Sequence, residues 1–161
     1  MLGTIHFVLA CACLAFGAVA LLQKKGGRKH RWPGYLYCAS LLLANLSALS
    51  VYEDSSTAGP FHILAWISLA TLSAGFIPAF LRRPAYGWMN LHAYFMSWSY
   101  VGLVAAGVGQ LLTEYSTLSG TFAVGLPSLV IVAAGGLMIH SRLPETLTSL
   151  ASRSIQPQET I

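Results

Sequence analysis

The chain has 161 residues, 55% of them hydrophobic and only 9% charged, with a formal net charge of +4. Soluble domains carry about 25% charged residues, so this composition, with a mean hydropathy of +0.64, excludes a surface built to face water. The basic excess follows from where the charges lie relative to the apolar runs, and it is no argument for nucleic acid.

A helix needs about 20 apolar residues to cross a bilayer, because only internally hydrogen-bonded backbone is tolerated there. Five such spans can be drawn, and together they form one transmembrane domain over residues 1–140. The first, residues 2–22, is followed rather than preceded by basic residues, the reverse of a cleaved signal peptide, so it is expected to be retained. It carries His6 near its start, then Cys11 and Cys13. The basic turn QKKGGRKHRW follows and holds His30. The second span, 33–52, has Cys38 in its inner half and Asn45 near its middle, flanked by Ser40, Ser47 and Ser50. After the loop EDSSTAG, Pro60 opens the third span, 60–81, at a position where proline is tolerated. This span has His62 in its first turn and Pro78 near its end. The turn RRPAYG leads to the fourth span, 88–112, with His92 one turn in and Met96 four residues later. The small-residue pairs Gly102/Ala106 and Ala105/Gly109 on this span permit close helix approach. The fifth span, 122–140, is weakened by Pro127, Gly135 and Gly136 and ends on His140. The remaining residues, 141–161, form a polar tail on the cytoplasmic side, and PETLTSLASRS within it suits one short interfacial helix.

The expected fold class is therefore an all-α integral membrane protein, a bundle of five transmembrane helices. All nine Lys and Arg fall on one side of an alternating five-span topology, whereas Glu53, Asp54 and Glu114 fall on the other. The positive-inside rule then places the N-terminus out and the C-terminus in, in a cell inner membrane. Trp32, Tyr35, Tyr37, Tyr86 and Trp88 read as an aromatic belt at the inner boundary. The three cysteines read as small apolar packing residues, with no zinc-type spacing. Asn45, deep in its span, needs a partner on another helix, for which Ser97 and Ser99 are available.

Ionisable residues inside a membrane are costly and point to function. The topology sorts four histidines by level: His6 with His62 at the outer face, His30 with His92 at the inner face. Two imidazoles on neighbouring helices suit the axial positions of haem b, within a helix bundle. Met96, on the same face as His92, is an alternative soft ligand for iron or copper. The bland reading, in which each histidine is an interfacial hydrogen-bonded side chain, stands beside this one and is stronger for His30 and His140 taken singly. There is no HExxH and no CxxCH, and the carboxylates all lie outside the spans, so hydrolytic triads and carboxylate-pair catalysis have no candidates.

The phrases KHRWPGYLY, GPFHILAWISLATL and HAYFMSWSYVGLVAA resemble a family of small predicted bacterial membrane proteins, domain-of-unknown-function family 2306. The likeness covers roughly residues 29–111 and includes His30, Gly34, His62, His92 and Ser99. It implies a multi-pass bundle and supplies no activity. Three functions follow as expectations. The first is a b-type electron-transfer protein exchanging electrons with quinone or a membrane redox partner. The second is a non-enzymatic accessory or assembly protein that binds a partner through spans four and five; separately, the small-residue pairs of span four permit either intrachain packing or homo-oligomerisation. The third is a small transporter. The lipid bilayer is the surrounding partner in each.

Overall fold

The computed structural model of the chain describes residues 2–50, 60–84, 87–115, 117 and 120–155. Glu53, Asp54 and Tyr86 lie outside the described residues. The described residues form five α-helices and no strand: α1 Leu2–Leu22, α2 Arg28–Ser50, α3 Pro60–Leu81, α4 Trp88–Tyr115 and α5 Gly120–Ile155. Four of them are long and apolar enough to cross a membrane, over Gly3–Leu22, His62–Leu81, Trp88–Tyr115 and Phe122–Ser149. α2 has 23 residues, but Arg28, Lys29, His30 and Arg31 occupy its first turn.

Two expected boundaries shift by five residues or more. α2 starts five residues before Pro33, so Pro33 lies inside the helix rather than at its start. Pro33 is the sixth residue of α2, past the unpartnered first turn, so the Lys29 carbonyl four residues back receives no helical N–H from it. α5 does not stop at His140 but continues through Pro144 to Ile155, as one helix of 36 residues. At 1.5 Å per residue it is about 54 Å long, well beyond the ~30 Å hydrocarbon core. The segment read as a separate interfacial helix is its continuation.

The helix contacts define a ring. α1 packs on α2, α2 on α3 and α3 on α4, and α1 touches α4 to close it, while α5 packs on α4 alone. The core inside the ring is Cys13, Tyr37, Leu41, Ala44 and Leu72, with Leu9, Phe16, Cys38, Met96, Tyr100 and Leu103 packed against it. Cys13 and Cys38 thus share one level of the bundle, and all three cysteines are free. Most other large apolar side chains face outward, among them Phe122, Leu129 and Leu137 on α5 and Trp66 on α3. Such a surface suits hydrocarbon, not water.

Short connections fix the order. Gly26 takes a positive φ of 89° in the turn between α1 and α2, and Gly87 one of 105° just before α4. The end of α3 is less usual. Arg82 has a φ of 52°, and the Arg83 N–H donates to the Pro78 carbonyl at 3.2 Å, the six-to-one bond of a Schellman cap. An arginine sits where glycine is common, and its charge meets the negative end of the helix.

α4 and α5 run antiparallel and meet through glycines. An added Cβ at Gly135 would lie 2.5 Å from Val101 Cγ2, and one at Gly136 would lie 3.2 Å from the Trp98 ring. Gly109 faces Val124 in the same way, and Ala105 beside it is buried. The Ala105/Gly109 pair is therefore used within the chain. Gly102 meets nothing within 4 Å. Gly135→Ala is expected to lower stability in detergent by about 1–3 kcal/mol through overpacking against a β-branched neighbour. Gly102→Ala should change it by less than about 0.5 kcal/mol. Thermal unfolding followed by circular dichroism separates the two.

Candidate functional site at the His30 and His92 end of the bundle

The last four carbonyls of a helix lack internal partners, and in α1 these fall where α2 begins. The Gln23 N–H takes the Val19 carbonyl at 3.1 Å. Lys25 Nζ donates to Ala20 O at 3.1 Å and to Leu21 O at 2.6 Å. His30 Nδ1 lies 2.9 Å from the same Ala20 carbonyl. A carbonyl only accepts, so His30 is protonated at Nδ1 and its Nε2 carries the lone pair.

His92 on α4 repeats the arrangement. Its Nδ1 donates to the Gly75 carbonyl of α3 at 3.0 Å, which leaves Nε2 as the acceptor. The approach depends on Gly75, where an added Cβ would meet Met96 Sδ at 2.9 Å and the Met96 backbone nitrogen at 3.1 Å. Pro78, three residues on, supplies no N–H to the preceding Ala74 carbonyl, so this turn of α3 is already short of a helical bond. The two anchored imidazoles meet edge to face, with ring centroids 6.3 Å apart and planes at 83°. Of the sequence-derived pairs, the structure brings His30 and His92 together.

His6 and His62, sorted to one level in the sequence, lie on α1 and α3. His6 Nδ1 turns to α2, 3.1 Å from the Ala44 carbonyl and 2.9 Å from Ser47 Oγ, while Ser47 gives its own proton to the same carbonyl at 2.7 Å. His62 is half-buried in the first turn of α3, and α1 and α3 make no backbone contact among the described residues. Met96 packs on the core and against Gly75. His140 is exposed on α5, at the edge of a groove shared with Tyr94 and Leu147.

Two turns along α2 and α4 from the histidines lies a buried hydroxyl pair. Tyr37 Oη and Ser99 Oγ are 2.8 Å apart, and Ser99 donates to the Met96 carbonyl at 2.9 Å. The Tyr100 hydroxyl reaches the Leu14 carbonyl of α1 at 3.2 Å, and the two tyrosine rings are 6.2 Å apart. Tyr37 is therefore interior, 3% exposed, and not part of the aromatic belt. Its seven-residue spacing from His30, matched by Ser99 from His92, was the available signal. Trp32 and Tyr35 do face outward. Asn45 pairs with Ser68 of α3, Nδ2 to Oγ at 2.9 Å, rather than with a serine of α4.

Among the described residues no group of three or more His, Cys, Asp or Glu side chains comes together to hold a bare metal ion. Two imidazoles suffice only where a macrocycle supplies the other ligands of iron. The donor set here matches that case: each Nδ1–H is committed to a carbonyl, the support that ligating histidines commonly have. Neither of two surface grooves, one between α2 and α3 and one between α4 and α5, is lined by His30 or His92, so neither is a slot for that macrocycle.

Burial holds the pKa of His30 below its ordinary 6.5; the bond to the Ala20 carbonyl opposes the shift, and the charges of Lys25, His92 and Arg31 reinforce it. Burial also lowers the pKa of Lys25. With the folded value of His30 depressed, the unfolded chain binds more protons just below pH 6.5, and folding stability falls as pH drops through that window. The thermal midpoint in detergent is expected to fall between about pH 7 and about pH 5. His30→Gln, which keeps a donor for Ala20, should flatten that slope.

A family model described as Predicted membrane protein (DUF2306) matches residues 3–148. No curated protein matches the chain, and no solved structure does.

Proposed function

Because this chain belongs to the DUF2306 family of predicted membrane proteins, we propose that it acts within a bilayer, as a five-span inner-membrane bundle that carries electrons on a b-type haem held by His30 and His92. The carrying observation is the inner histidine pair, with both Nδ1 atoms anchored to carbonyls and the rings 6.3 Å apart. Bound there, the haem would supply reversible one-electron chemistry at its iron. The chain's own contribution is to hold both imidazoles neutral, fix their tautomers and set them on rigid helices. Gly34, one turn from His30, has open space where a side chain would stand, which suits a flat group beside that ring.

The five-span topology, N-terminus out, rests on charge. α2 is the fifth span, and its charged first turn joins Lys24, Lys25, Arg82, Arg83 and Arg142 at one end of the bundle. The positive-inside rule assigns that end to the cytoplasm. Reporter fusions after Leu22 and after Tyr115 should read inside and outside respectively; the opposite pair of readings inverts the bundle.

Protein purified after haem-supplemented expression should show a Soret band that shifts on dithionite reduction. His92→Ala and His30→Ala should each abolish it, while His62→Ala and His6→Ala should retain it. A colourless wild-type protein rejects the haem reading. Loss of the band in His6→Ala but not in His30→Ala moves the site to the outer face.

A further inference from the structure

The groove between α2 and α3 has a volume of about 280 Å³, and Tyr35, Cys38, Ala39, Ser73, Phe76 and Ile77 are among the residues that line it. We propose that this groove binds the head group of a lipid-soluble quinone, with Tyr35 and Ser73 as the hydroxyls that meet its two carbonyls. The proposal deepens the electron-transfer reading by naming the partner and its place, and binding itself can be measured without haem.

Three observations select a quinone over an acyl chain. The first is hydrogen bonding. Thr71 and Ser99 turn their hydroxyls back onto their own helices, 2.9 Å from the Ser68 and Met96 carbonyls. Ser73 makes no such bond among the described residues, and its side chain lines the groove. Facing hydrocarbon, an unpaired hydroxyl carries a desolvation cost, which an acyl chain leaves in place and a quinone carbonyl removes. The second is the wall. Tyr35 and Phe76 meet edge to face, with centroids 6.3 Å apart, and Phe76 stacks on Phe80 at 5.7 Å. Aromatic walls suit a flat conjugated ring. The third is position. Tyr35 lies five residues and Cys38 eight residues after His30 on α2, about 8–12 Å along the helix. Tyr35, Ala39, Leu42, Ser73 and Ile77 are exposed on the outer face of the bundle, so a ligand dissolved in the bilayer reaches them directly.

The probe is a photoreactive, fully substituted benzoquinone with a short alkyl tail, offered to the protein in phosphatidylcholine–phosphatidylglycerol vesicles. Full substitution prevents conjugate addition by Cys38. Cross-links mapped by mass spectrometry should concentrate on residues 35–42 and 72–77 and be competed by unlabelled quinone. Ser73→Ala should weaken competition about tenfold, the loss of one buried hydrogen bond, and Ser73→Thr should restore it. Ala39→Phe, which fills the exposed mouth, should abolish the competed signal while leaving the circular dichroism unchanged. Labelling spread over all lipid-facing helices, or indifferent to competitor and to both substitutions, means that acyl chains alone occupy the groove and overturns the proposal. A colourless protein that still labels here keeps the quinone site and removes the haem. A protein with a Soret band but no competed labelling does the reverse.

Discussion

The bond from a histidine Nδ1–H to a backbone carbonyl of a neighbouring helix is the contact on which the polar interior of this bundle depends. It occurs three times, at His6 to Ala44, His30 to Ala20 and His92 to Gly75. In a bilayer no water satisfies a stray donor or acceptor, so each bond resolves two problems together. It pairs an imidazole proton, and it adds a partner to a carbonyl, which at the end of α1 has none within its own helix. The bonds join α1 to α2 twice and α3 to α4 once. They fix the helices in register as well as in contact, because sliding by one residue would separate donor from acceptor.

That register has steric conditions. His92 reaches Gly75 only because α3 and α4 approach closely, and Gly75 has no side chain to hold Met96 away. Gly17 does the same for Tyr100, whose ring would lie 2.5 Å from an added Cβ. Tyr100 then reaches the Leu14 carbonyl, and Tyr37 meets Ser99 beneath it. The glycines and the hydrogen bonds are thus one device: small residues bring the helices near, and polar side chains hold the register that nearness allows. α4 stands at the centre of this arrangement. It contacts α1, α3 and α5, and its Ser99 bonds to α2.

Much of this was legible in the sequence, and the limits have physical causes. Apolar run length located the four helices long and apolar enough to cross a membrane, because the bilayer imposes it on any spanning helix. The pairing of His30 with His92 followed from counting residues from the membrane edge. Depth fixes a level and says nothing about which helices are neighbours around the ring. Asn45 illustrates the same limit: its need for a partner was readable, but its choice of Ser68 depends on α3 standing beside α2. Nearness to the membrane boundary places Tyr37 in the belt, whereas its helix face, seven residues on from His30, places it in the interior where it lies. The continuation of α5 was hidden by Pro144, which breaks most helices but is accommodated here.

The environment of His30 favours a neutral ring over an ion-paired one. A salt-bridged histidine needs a carboxylate nearby, whereas the charges acting on His30 are Lys25, Arg31 and His92, all basic groups. Burial and these charges favour the neutral ring, and the Ala20 carbonyl fixes its proton on Nδ1. Neutral imidazole with an available Nε2 is the form that binds iron. Lys25 has two roles in this arrangement. It caps the carbonyl end of α1, and its charge disfavours a proton on the imidazole beside it. The basic cluster between α1 and α2 therefore also sets the charge state of the histidine at its edge.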